Sequence, residues 1–158
     1  MIGPRESITK AGAYQYIDYR KENYWKTLSD IDYVIDTIGA REFEHELSIL
    51  KRGGRLLSLR TGPNKAFAVR NHFSRLKEIL FALVGAKYDR KAEKEGKEYH
   101  FIFVRSDGEQ LRKITKIVEE NNIIPKIDPH MFTIEDADEA LRLVADGYAD
   151  GKVLIRFS

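Results

Sequence analysis

The sequence contains no cysteine in its 158 residues. Disulfide bonds, thiolate catalysis and cysteine-ligated zinc are therefore excluded within this chain. The four histidines are His45, His72, His100 and His130, and their positions show no H-E-x-x-H or other metal-site spacing. We therefore predict that the chain holds no metal.

Long apolar runs and a dominant charge are also missing. No stretch approaches the roughly 20 apolar residues of a membrane span, and the first residues, MIGPRESITKAGA, lack the apolar core of a signal peptide. The 27 basic and 25 acidic residues leave a net charge of only +2, so nothing electrostatic points to nucleic acid as a partner. These absences favour a cytoplasmic protein that binds neither a membrane nor nucleic acid.

Short apolar runs, typical of strands, are what the sequence does have. Three of them, DYVIDTIG, RLLSLRTGP and YHFIFV, are nearly continuous, which is the pattern of parallel strands that helices bury on both faces. A shorter run rich in β-forming residues, YQYIDY, predicts a strand over Tyr14–Tyr19, and KVLIRFS predicts a terminal strand.

Helical periodicity separates these runs. Helices are predicted over 40–54, 67–88, 107–122 and 133–147. Asp107 or Ser106 can cap the third of them, and Thr133 can cap the fourth. Alternating strands and helices predict an α/β fold, in which one domain, residues 1–158, contains a parallel sheet with right-handed crossovers.

Ligands of such sheets bind beyond the carboxyl ends of the strands. Three segments directly follow predicted strands, namely 37–39, 60–63 and 105–108. Glycine at a strand end lets the backbone approach a sugar or a base closely, so Gly39 and Gly62 are either binding positions or simple turns. Asp36 is either a turn residue or a ligand for ribose hydroxyl groups, and we favour the turn.

Five segments, taken in order, resemble the C-terminal portion of the medium-chain dehydrogenases/reductases, in particular the zinc-independent quinone oxidoreductases. The segments are GAYQYIDYRKENY, DYVIDTIG, LSILKRGGRLLSL, FIFVRSDGEQL and IEDADEALRLVADGYADGKVLIRF. The resemblance runs from about Ser7 to Phe157. It implies a partial Rossmann-like sheet without the first strand and without the glycine-rich turn, and the chain indeed has no G-x-G-x-x-G motif.

The resemblance also implies which residues face NADPH or NADH in a parent enzyme. Arg5 and Tyr19 match the surroundings of the adenosine 2′-phosphate, while Gly147 stands where a relative has a further basic residue, which leaves NADPH and NADH both open. Cofactor positions on the adenine, ribose and nicotinamide sides are matched by Thr37, Ile38, Gly39, Arg60, Thr61, Gly62, Phe103 and Val104. Phe103 and Val104 would equally suit a hydrophobic core, and no catalytic residue is implied.

Three functions follow as alternatives. The first is a fragment of an oxidoreductase whose parent transfers hydride from NAD(P)H to a quinone or an enone, with weak or no cofactor binding and no activity by this chain alone. The second is a non-catalytic α/β domain that oligomerises. The third is a methyltransferase-like sheet, which ranks last because it needs its own early glycine-rich loop.

The resemblance implies a truncated gene product, one subunit of a split enzyme or an isolated domain. Residues 124–158 would return toward an absent catalytic domain. A sheet without its central strand exposes an edge and apolar side chains, so we expect a homo-oligomer or a partner that is the missing N-terminal half.

Overall fold

The computed structural model describes residues 12–157. The chain divides into two compact units, one of which is Tyr19–Arg105, while the other contains the rest of the described chain. Helices flank parallel strands, and every strand pair is parallel, which confirms the predicted α/β class.

The first unit contains a three-stranded sheet. Its strands are β1 (Ile31–Asp36), β2 (Leu50–Ser58) and β3 (Glu98–Phe101), in the spatial order β1-β2-β3. Its helices are α1 (Phe43–Ser48), α2 (Lys65–Arg70) and α3 (Arg75–Lys94), and a single 3₁₀ turn (Tyr24–Lys26) precedes β1.

One face of this sheet is covered and the other is open. Val34, Leu56 and Tyr99 are aligned across the three strands and contribute to the core that α1 and α3 complete. On the opposite face Tyr33 and Ile35 remain 58% and 70% exposed. The prediction that helices bury both faces is therefore wrong for the described chain. Right-handed crossovers that advance in one direction place all their helices on the same face, which explains the open one.

The predicted helix over 67–88 is two helices. The chain breaks at Asn71–Ser74, where His72 adopts a left-handed backbone conformation with φ of 53°. The break brings Phe73 against Phe67, with ring centroids 5.9 Å apart. Helical periodicity continues through the break, so tertiary packing of the aromatic rings overrides it.

The second unit contains the remaining elements. They are α4 (Gly108–Glu120), β4 (Ile127–Thr133), α5 (Ala137–Ala145) and β5 (Lys152–Arg156), with β4 paired to β5. Asp107 caps α4 as predicted, because its carboxylate accepts the N–H groups of Glu109 and Gln110, both at 3.0 Å.

Three local predictions fail. The helix predicted over 40–54 ends at Ser48, and residues 50–54 belong to β2. Thr133 does not cap α5, because Thr133 is still paired with Arg156 in the β4–β5 ladder. Asp136 occupies the N-cap position, but its carboxylate accepts the N–H and the hydroxyl of Thr133 and bonds no N–H of the helix. Tyr14–Tyr19 forms no strand, since no described strand pairs with it and the Tyr14 side chain is fully exposed. Among residues 12–157, no helix combines the length and the apolar character needed to cross a membrane.

Candidate functional site

Asp36, the last residue of β1, ties two strand-end loops together. Its Oδ1 accepts the backbone N–H groups of Ile38 and Gly39, both at 2.7 Å. Its Oδ2 accepts the hydroxyl groups of Ser58 at 2.5 Å and Thr61 at 2.8 Å. We call these five residues the Asp36 clasp. The clasp joins the loop after β1 to the loop after β2.

Ser58 extends the clasp into the second loop. Its Oγ accepts the N–H groups of Arg60 at 3.1 Å and Thr61 at 2.8 Å. The two loops approach so closely that a Cβ atom added at Gly39 would lie 3.4 Å from Cβ of Arg60. The φ of 106° at Gly39 is the feature that favours glycine here.

The electrostatics of Asp36 identify it as a turn residue. The side chain is fully buried. Burial raises the pKa of Asp36, but hydrogen bonds from Ser58, the Gly39 N–H, Thr61 and the Ile38 N–H outweigh burial and hold the pKa below its usual range. A buried carboxylate that bonds the N–H groups of the loop that follows it is not available to ribose hydroxyl groups, so the favoured interpretation of Asp36 as a turn residue is confirmed.

A second carboxyl group lies beneath the clasp. Glu46 on α1 is only 5% exposed, and its Oε2 has no hydrogen-bond partner within the described chain. Burial raises the pKa of Glu46 to about 8, and the charge of Asp36, a hydrogen bond to Asp36 and the charge of Glu42 act in the same direction. Glu46 is therefore a neutral acid at pH 7.

A polar and aromatic cluster adjoins Glu46. Glu42 accepts the hydroxyl of Tyr24 at 3.2 Å and lies 3.2 Å from Nδ1 of His45. The His45 ring stacks on Trp25 with centroids 3.7 Å apart. Burial raises the pKa of Tyr24, and the charges of Glu42 and Glu46 add to the effect. The cluster fixes the 3₁₀ turn against the start of α1.

Six of the predicted cofactor residues lie in the two loops that the clasp joins. Thr37, Ile38 and Gly39 follow β1, and Arg60, Thr61 and Gly62 follow β2. The carbonyl of Gly62 accepts the hydroxyl of Tyr99 at 2.5 Å, which anchors the second loop to β3. Ile38 is exposed, so its side chain is open to a ligand.

Phe103 and Val104 do not lie in a core. β3 ends at Phe101, and although the N–H of Ile102 still donates to the carbonyl of Ser58 at 2.8 Å, the next two side chains are 64% and 77% exposed. The alternative that any fold would bury them is wrong for the described chain.

The two remaining predicted cofactor residues are Tyr19 and Arg5. Tyr19 is exposed, with the guanidinium carbon of Arg20 6.0 Å from the centre of its ring. Arg5 lies outside the described residues.

We predict from the sequence that the chain holds no metal. Within residues 12–157, no group of three or more histidine, cysteine, aspartate or glutamate side chains could hold a metal ion.

Sequence reasoning missed Ser58, Glu42 and Glu46. Glu46 had a detectable signal: it lies three residues after Phe43 and four before Leu50, within the apolar stripe of the predicted helix. A carboxyl group at a buried helical position needs a hydrogen-bond or charge partner, or it has to be protonated. Ser58 has no comparable signal, because serine inside an apolar run is common at strand ends.

The chain matches the family described as zinc-binding dehydrogenase over residues 11–155. An acryloyl-coenzyme A reductase of Sulfurisphaera tokodaii is 28% identical over 99% of this chain, which covers 43% of that protein. A 2-methylene-furan-3-one reductase of Solanum lycopersicum is 26% identical over 97% of this chain, which covers 31% of that protein. The chain thus spans less than half the length of these relatives.

Solved structures agree on the fold. The quinone oxidoreductase of Coxiella burnetii has a TM-score of 0.68 at 19% identity, covering 98% of this chain and 42% of that one. An alcohol dehydrogenase superfamily protein of Novosphingobium aromaticivorans has a TM-score of 0.65 at 20% identity, covering 98% of this chain and 46% of that one. At such identities the likeness shows a shared fold.

Proposed function

Because this chain belongs to the zinc-binding dehydrogenase family of medium-chain dehydrogenases/reductases, we propose that it is the cofactor-binding C-terminal portion of an NADPH- or NADH-dependent reductase of enones or quinones. The relatives that are named reductases support the reaction class. The proposal includes a second polypeptide segment that completes the site.

The observation that carries the proposal is the Asp36 clasp. It holds two strand-end loops side by side at the carboxyl edge of a parallel sheet, where dinucleotides bind in α/β folds. Gly39 and Gly62 both have a backbone conformation that favours glycine, with φ of 106° and 149°. A flat ligand could therefore approach the backbone of both loops closely.

Each loop has a proposed role. Thr37, Ile38 and Gly39 contact the adenine and its ribose, and Arg60, Thr61 and Gly62 contact the nicotinamide ribose. Phe103 and Val104, exposed just beyond β3, lie against the nicotinamide, and Tyr19 and Arg5 lie near the adenosine 2′-phosphate. The bound cofactor supplies the hydride, whereas the residues of this chain bind and orient it.

This sequence lacks the motif that normally binds the pyrophosphate of the cofactor. Backbone N–H groups of a glycine-rich turn normally bind it at a helix N-terminus, and the 158 residues contain no such turn. β1 has no strand on the side away from β2 among the described residues, and the face with Tyr33 and Ile35 is open. A partner segment that adds a strand to β1 and helices to that face would supply what is missing.

A non-catalytic domain that oligomerises is the second candidate. The apolar residues Leu76, Ile79 and Leu83 on α3 are exposed, as are Leu111 and Ile114 on α4. Apolar helical surface of this kind is typical of an interface. In this alternative the two strand-end loops would hold no cofactor.

Backbone NMR with NADPH added to about 10 mM distinguishes the two. We expect concentration-dependent shifts of the Ile38, Gly39, Thr61 and Gly62 amides, because millimolar affinity suffices at that concentration. Gly39→Ala should weaken these shifts, because alanine is strained at a φ of 106° and would distort the loop that contacts the ligand.

Gly53→Ala is the matched control. Gly53 also has a positive φ, 78°, but has nothing within 4 Å of an added Cβ and lies in the first half of β2. It should leave the shifts unchanged. Shifts confined to any other surface would favour the non-catalytic domain.

A further inference from the structure

A buried carboxyl group without a counter-charge lies beneath the strand-end loops. Two carboxyl groups act on Glu46, namely Asp36 at the end of β1 and Glu42 just before α1, and the charge of Glu46 acts in turn on Tyr24 in the 3₁₀ turn. The Glu46 side chain is more than nine-tenths buried, and its Oε2 has no hydrogen-bond partner in the described chain. A second negative charge at this point would be costly.

The cations near α1 are engaged elsewhere. Lys97 donates to the carbonyl of Leu47 at 2.7 Å, and Lys91 Nζ lies 3.9 Å from Oε1 of Glu44. His45, on α1 itself, lies against Glu42 rather than Glu46. From β2 the neutral hydroxyl of Ser58 faces Asp36.

A proton, rather than a metal ion, is therefore the neutralising cation. The described residues contain no group that could hold a metal. The pKa of Glu46 is raised to about 8 while the pKa of Asp36 is held below its usual range, so the pair carries one proton near neutral pH and Glu46 holds it.

We propose that the proton on Glu46 locks the Asp36 clasp. With the proton bound, Glu46 donates to Asp36 and the two strand-end loops stay joined. When the proton leaves to solvent, two buried carboxylates repel one another, α1 separates from the end of β1, and the loops open. This inference does not depend on the proposed function, since it concerns the loops without a cofactor.

The direction of the pH effect follows from proton counting. The folded chain binds one proton more than the unfolded chain between the ordinary glutamate pKa of 4.5 and about 8. Stability from Glu46 is therefore complete below pH 4.5 and is lost as the pH rises through 8. Within that window the unfolding equilibrium constant should rise about tenfold per pH unit from this group.

The test compares wild type with Glu46→Gln, which keeps the shape of the neutral acid. Urea unfolding followed by the fluorescence of Trp25, the single tryptophan, should show about one proton less of pH dependence in the variant between pH 5 and 8. Hydrogen-exchange protection factors of the Ile38 and Gly39 amides should fall above pH 8 in wild type only. Glu44→Gln, at an exposed position on the same helix, should behave like wild type.

Carbon-13 NMR titration of the Glu46 carboxyl in wild type gives a measurement that needs no variant. An inflection near pH 8 supports the lock. An inflection below pH 6 would overturn it, even if Glu46→Gln failed to fold. Equal pH dependence in Glu46→Gln and wild type would overturn it as well.

Discussion

Asp36 is the single residue on which both strand-end loops depend. Asp36→Ala removes the acceptor of two backbone N–H groups and two hydroxyl groups. Because these donors lie in a largely buried site, we expect a loss of roughly 3–5 kcal/mol in the free energy of unfolding, measured by urea titration. Asp32→Ala is the matched control on the same strand. Asp32 is exposed and pairs with Lys51 at the surface, so its removal should cost less than about 1 kcal/mol.

Acid should weaken the clasp through the same residue. The pKa of folded Asp36 lies below the ordinary 3.8 because its four hydrogen bonds outweigh burial. Its contribution to stability is therefore complete above pH 3.8 and is lost as the pH falls through the folded pKa. Urea unfolding at pH 2–4.5 should show a steeper fall for wild type than for Asp36→Asn. Below about pH 3.5 Glu46 does not interfere, because it is then protonated in the folded and the unfolded chain. Parallel curves would contradict this account.

The turn role of Asp36 could be predicted from the sequence, since an aspartate that ends an apolar run before a glycine commonly bonds the N–H groups that follow. The pairing of Asp36 with Ser58, Thr61 and Glu46 could not. These residues are 10–25 positions away. The β1–β2 register brings Ser58 and Thr61 to Asp36, and the packing of α1 on the sheet brings Glu46 there.

Among the elements, α3 is fixed by one close approach. A Cβ atom at Gly85 would lie 2.5 Å from Cβ and 2.6 Å from Cα of Asn64. Asn64 is buried and bonds the Phe67 N–H, Asp89 and the carbonyl of Tyr99, so it cannot move freely. Gly85→Ala should therefore lower the midpoint of thermal unfolding, at a cost of about 1–3 kcal/mol, although alanine is the better helix former.

Gly108→Ala is the control for that substitution. Gly108 begins α4, and the nearest atom to an added Cβ is the Arg112 guanidinium at 3.9 Å. We expect a neutral or slightly stabilising effect. If both variants behaved alike, the close approach of α3 to Asn64 would not be a determinant of stability.

The element types were predictable, but the boundaries set by packing were not. The apolar runs of β1, β2, β3 and β5 and the periodicity of α4 and α5 identified these elements from the sequence. The break between α2 and α3 depends on Phe73 packing against Phe67, and the start of α5 depends on Thr133 pairing with Arg156. Neither contact can be predicted from the periodicity of the sequence.

For the whole molecule we predict self-association. One face of the three-stranded sheet is open, and the edge of β1 away from β2 has no paired strand among the described residues. Tyr33→Lys combined with Ile35→Lys places two charges on that face, where both side chains are already exposed. Sedimentation at micromolar concentration should show a smaller particle than wild type, with little change in the free energy of unfolding. Glu44→Lys, on α1 at the covered face, should leave the particle unchanged. A wild-type monomer would contradict this prediction.

Calorimetric titration of NADPH and NADH into the chain tests the central claim most directly, namely that this chain holds part of a cofactor surface and not the pyrophosphate site. Losing two or three charge-assisted hydrogen bonds of roughly 1.5–3 kcal/mol each weakens binding by about two to six decades. A parent dissociation constant of about 1 µM therefore becomes about 0.1 mM or weaker. We expect that result for both cofactors. A dissociation constant below about 10 µM for either one would contradict the account, because a site for the pyrophosphate would then have to lie within these 158 residues.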